Sequence, residues 1–75
     1  MGEPPSNWRP YLGRKVSVRY TLDPASGYSA SEALGVLQSV HSGDDGVDVI
    51  QILTRHGEVV VVRAPDVTHA SIFPS

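Results

Sequence analysis

Cysteine is absent from the 75-residue chain. Disulfides, thiolate metal centres and a thiol nucleophile are thereby excluded. A chain this short buries only about 60% of its unfolded surface. With no covalent staple, its stability must come from packing alone or from a partner. Charge is also sparse: six Lys+Arg face eight Asp+Glu, for a formal net charge of −2. No block of like charges reads as a tail. A slightly acidic chain is a poor start for a nonspecific nucleic-acid binder, whose affinity comes from neutralising phosphates. No apolar run approaches the ~20 residues of a membrane span. Met1-Gly2-Glu3-Pro4-Pro5 lacks the basic and apolar regions of a signal peptide. Together with the missing cysteine, this leads us to expect a cytoplasmic protein with no membrane partner.

What is present is apolar alternation punctuated by turns. Residues 1–11 read as a loose, proline-rich leader, and residues 12–75 as a single small domain. In Lys15–Leu22 the residues Val16, Val18, Tyr20 and Leu22 fall on one face and Lys15, Ser17, Arg19 and Thr21 on the other. That is the half-buried strand signature. Asp23-Pro24-Ala25-Ser26-Gly27 is a turn cluster. Residues 29–40 support two readings. Ser29-Ala30-Ser31-Glu32 matches a helix capping box, followed by Ala33, Leu34 and Leu37 at helical spacing. Against a helix stand the internal Gly35 and the β-branched Val36 and Val40. The strand reading places Leu34, Val36 and Val40 on one face and is the one favoured.

Ser42-Gly43-Asp44-Asp45-Gly46 is a polar turn. Val47–Thr54 is a strand with apolar residues on both faces, Arg55-His56-Gly57-Glu58 a tight hairpin, and Val59–Val62 the most apolar run. That valine run reads as a central strand, with an exposed edge that recruits a second chain as the alternative. Ala64-Pro65-Asp66-Val67 predicts a single 3-10 turn, and Thr68–Phe73 a short last strand closed by Pro74. Five short strands with a turn before the fifth predict an all-β fold. Closing the sheet removes costly edges, so a small SH3-like or Sm-like barrel is the expected solution.

The spacing of these landmarks resembles a known family. Gly13-Arg14-Lys15-Val16-Ser17-Val18-Arg19-Tyr20, Leu34-Gly35-Val36-Leu37, Asp45-Gly46-Val47, Arg55-His56-Gly57 and Val62-Arg63-Ala64-Pro65-Asp66-Val67 lie over residues 12–74. They look like the small SH3-like barrel at the N-terminus of actinobacterial GNAT-type N-acetyltransferases. They are also similar to Sm-like barrels. The resemblance implies a non-catalytic accessory domain that packs against, or helps oligomerise, an acetyltransferase. The acetyl-CoA loop of those enzymes has no counterpart here, so a catalytic domain would lie beyond Ser75. A protein partner or adjacent catalytic domain is therefore expected, with homo-oligomerisation left open.

No catalytic, cofactor-binding or metal-binding residue is assigned. His41, His56 and His69 have no paired spacing of the kind a zinc site uses. Asp44, Asp45 and Asp48 lack the distal glutamate of a calcium loop. No serine sits in a Gly-x-Ser-x-Gly elbow. The one constellation worth carrying forward is an interaction surface of Trp8, Arg9, Tyr11, Arg14, Lys15 and Arg19. Aromatics interleaved with cations hold single-stranded nucleic acid on small barrels, which makes an Sm-like nucleic-acid module the alternative function. The plainer reading makes Tyr20 core, Trp8 a cap on the barrel end and the cations a solvated strand face.

Overall fold

Period-two alternation of β-branched residues commits most of the chain to strands. The structure, a computed structural model, describes residues 2–23 and 29–73. The strands are β1 (Lys15–Asp23), β2 (Ser29–Ser42), β3 (Asp48–Thr54), β4 (Val59–Arg63) and β5 (Val67–Ile72). A 3-10 turn at Ala64–Asp66 precedes β5, as Pro65 predicted, and another covers Arg9–Tyr11. The expected turn over residues 24–27 and the closing Pro74 lie outside the described residues. Segment 29–40, open between helix and strand in the sequence, is strand throughout. No helix among the described residues is long and apolar enough to cross a membrane.

All neighbouring strands are antiparallel, in the spatial order β4-β3-β2-β1-β5. The expected all-β fold is present, but the sheet is not closed into a barrel. No ladder joins β4 to β5 among the described residues, so the row has two ends. The long β2 holds it together. Its first half pairs with β1, from Lys15↔Val36 to Asp23↔Ser29, and its second half with β3, from Gly35↔Thr54 to Ser42↔Asp48. At Gly35 the two ladders overlap, and a Cβ there would fall 2.2 Å from the Leu53 carbonyl oxygen. Only a residue without a side chain lets the backbones approach this closely.

A bulge between Leu37 and Ser39 then shifts the alternation by one residue. Before it, Ala33 and Leu37 point inward; after it, Val40 packs against the core. Leu34 and Val36, expected on the same face as Val40, therefore point to solvent. β4 departs from its expected central place in the same way: it is an edge strand. The β3–β4 hairpin forms as predicted. Thr54 N–H donates to the Glu58 carbonyl at 2.9 Å, and Gly57 N–H to the Thr54 carbonyl at 3.0 Å. Gly57 takes φ +81°, which the turn requires.

The core comprises Trp8, Val16, Val18, Ala33, Leu37, Ile50, Ile52, Val62, Val67 and Ala70, with Tyr11 and Tyr20 packed against it. Residues 1–11 are thus not simply a leader. Trp8 is 1% exposed, and Gly2 forms a two-bond bridge to Ala70 on β5, at 3.0 and 2.9 Å. The radius of gyration, 11.7 Å, is close to the roughly 11 Å expected for a compact chain of this length.

Two substitutions test this packing. Gly35→Ala must displace backbone and is expected to lower stability by about 3 kcal/mol, read as a lower urea midpoint. Trp8→Ala removes the largest core side chain and is expected to cost about 3–5 kcal/mol. A leader that merely lay on the surface would leave the midpoint unchanged.

Candidate functional site

The residues named as an interaction surface do not converge. Trp8 is buried, and its ring is unavailable for stacking. Tyr11 is half-buried against the core. Arg9 is exposed but engaged, its guanidinium 3.6 Å from Asp48 and donating to Ser42 Oγ at 3.1 Å. Ser42 Oγ in turn donates to Asp48 at 2.9 Å. Arg14 donates to the Phe73 carbonyl at 3.3 Å, while its buried Nε finds no partner. The Lys15 ammonium lies over the Phe73 ring, 5.5 Å from its centroid. Arg19 is exposed on β1 between Glu32 of β2 and His69 of β5. Lys15 and Arg19 share a face but stand roughly 13 Å apart along the strand. The cations of the N-terminal third are thus dispersed: Arg9 is held by Asp48 and Ser42, Arg14 and Lys15 meet Phe73, and Arg19 stands apart on β1.

The polar turns explain themselves. Asp45 accepts the Val47 N–H at 3.0 Å and pairs with Arg63 at 3.5 Å, so it shapes the β2–β3 connection. His41 stands on β2, His56 in the hairpin and His69 on β5, all exposed. Among the described residues no three His, Asp or Glu side chains converge as a metal ion would require.

The feature that does converge was not expected. Alternation leaves every second residue on the outer face of the sheet, and the registers align them in rows. Lys15 pairs with Val36, Val36 with Leu53, and Leu53 with Val59. Phe73, whose N–H donates to the Lys15 carbonyl at 2.9 Å, extends this row beyond β5. Phe73-Lys15-Val36-Leu53-Val59 therefore crosses the whole sheet, flanked by Leu34 and Val61. The apolar members are all exposed: Leu34 49%, Val36 39%, Leu53 37%, Val59 47%, Val61 59% and Phe73 39%. Where β2 parts from β3, beyond Gly35, the band dips into an open cleft of about 740 Å³ lined by Leu34, Val36, Leu53, Arg55 and Glu58, among others. Lys15 and Glu32 line it too. The cleft thus combines exposed apolar residues with charges of both signs.

The signal for this band was in the sequence as an excess. β3 carries Leu53 beside the buried Ile50 and Ile52, and β2 carries Leu34 and Val36 between the buried Ala33 and Leu37. A strand with one face in the core has no internal need for those outward residues.

No protein-family model, curated protein or solved structure matches this chain.

Trp8 is the only tryptophan, so its burial is directly measurable. We expect blue-shifted emission, weak quenching by acrylamide and no change on adding single-stranded RNA or DNA at low salt. Strong quenching by oligonucleotide would restore the stacking surface. The Arg9–Asp48 pair is partly exposed, 49% at Arg9 and 24% at Asp48, and a double-mutant cycle should return about 1 kcal/mol or less.

Proposed function

We propose that this chain is a non-catalytic interaction domain whose outer sheet face packs against a protein partner or an adjacent catalytic domain. The observation that carries the reading is the exposed band from Phe73 to Val59. An apolar row of this length on a small domain marks a surface made to be covered. The charges that line its cleft, Lys15, Glu32, Arg55 and Glu58, are of both signs, as at the polar edge of a protein–protein contact. The partner class comes from the sequence landmarks between Gly13 and Val67, which resemble the barrel of GNAT-type N-acetyltransferases. On that footing the partner is an acetyltransferase domain in the cytoplasm. The nucleic-acid alternative has less behind it, because Trp8 is buried and Arg9 is held by Asp48.

Two measurements test this. Reading the frame past codon 75, and the neighbouring genes, tests the partner class; an acetyltransferase domain in neither place overturns that part. Titrating the isotope-labelled chain with that domain is expected to shift the amides of Lys15, Leu34, Val36, Leu53 and Val59. Leu53→Lys should weaken the complex at least tenfold while leaving the spectrum of the free chain folded. Shifts confined to the Arg9–Ser42–Asp48 side would overturn the assignment of the face.

A further inference from the structure

The two ends of the sheet are not equivalent. On β5 the outward backbone groups of Ala70 are both bonded to Gly2, at 3.0 and 2.9 Å, which blocks that edge at its middle. β4 has no such cover among the described residues. The direction of its free groups follows from the hairpin. Thr54 and Glu58 form a hydrogen-bonded pair, so alternation makes Val60 and Val62 bond to Ile52 and Ile50. Val59 and Val61 then turn their N–H and C=O groups away from the sheet, and Arg63 its N–H, while the Arg63 carbonyl opens the 3-10 turn at Ala64–Asp66. Small proteins guard such edges with proline, a bulge or a charge within the strand. In β4 the one such residue is Arg63, at its end; Val59-Val60-Val61-Val62 carries none.

We propose that β4 pairs antiparallel with β4 of a second copy of this chain, about a two-fold axis through Val61. This rests on the reading that the chain works by association, and it names one partner. The axis places Val61 against Val61 of the second copy and Val59 against its Arg63. The outward N–H and C=O of Val61 on each copy then bond each other, the Arg63 N–H meets the Val59 C=O, and two five-stranded sheets become one continuous sheet. The two-fold axis sets the direction: antiparallel pairing brings the outward groups of Val61 on each copy into register with each other. Arg63, on the same face as Val59 and Val61, keeps its own partner Asp45 at 3.5 Å. The blocked edge of β5 excludes the head-to-tail alternative, in which β4 of one copy meets β5 of the next. The two outer bands end up coplanar and uncovered, so pairing leaves the face free for the partner domain. A contact this small implies a weak dimer, with a dissociation constant on the order of 100 µM.

Sedimentation of the full chain from about 10 µM to about 1 mM is expected to show monomer giving way to dimer, with no larger species. Over the same range, exchange of the Val61 and Arg63 amides should slow in step with dimer formation, and that of Ala70 should not change. Val61→Pro removes one outward N–H without touching the β3–β4 ladder and should leave a folded monomer. If that variant does not fold, Val61→Lys is read instead; it brings two like charges together on the axis and should weaken the dimer at least tenfold. A chain that is monomeric at the highest concentration overturns the pairing. So does a dimer whose β4 amides exchange as fast as the monomer's. Either result leaves the titration of the Leu53 face, and the interaction-domain reading, to stand or fall separately.

Discussion

The close approach of Gly35 to Leu53 is the contact on which the architecture depends. A strand normally has one partner on each side along its length. β2 instead serves β1 with its first half and β3 with its second, and at Gly35 it must serve both. A methyl group there would press on the β3 backbone and strain the join between the two ladders. A chain this short has little apolar surface to offset that strain. Because the two ladders are offset along β2, the sheet can wrap a single core of valine, isoleucine, leucine and one tryptophan. The same offset opens the cleft on the outer face.

Much of this could be read from the amino acids, and the limits have identifiable causes. β1 was legible because its alternation is uninterrupted, and the inward Val16 and Val18 follow directly. The 3-10 turn was legible because Pro65 cannot continue a ladder. The faces of β2 were not, because the Leu37–Ser39 bulge makes residues of equal parity point opposite ways. β4 was misplaced because four successive valines fit a strand buried on both faces as well as an exposed edge. Trp8 was assigned to the barrel end because nothing local tells a tryptophan in a polar segment that it will be core.

The apolar band was not legible for a related reason. The cations and aromatics that stand close together in sequence lie on different parts of the molecule, and nothing local to them points to the outer face. Arg9 meets Asp48, 39 positions away, and Arg14 meets Phe73, 59 positions away. The apolar band draws Leu34 and Val36 from β2, Leu53 from β3, Val59 and Val61 from β4 and Phe73 from just past β5, and it exists only once the registers are known. Cross-strand rows of this kind are a property of pairing, not of any single segment.

The bridge between Gly2 and Ala70 has a consequence for the edge of β5. Cleavage that removes Gly2 from the domain takes both hydrogen bonds with it and lays bare the backbone of β5 at Ala70. Such a chain would have an open backbone edge at both ends of its sheet. If β4 pairs as proposed, association that closes after one pairing would then become association that can propagate into filaments. One glycine thus separates finite assembly from open-ended growth.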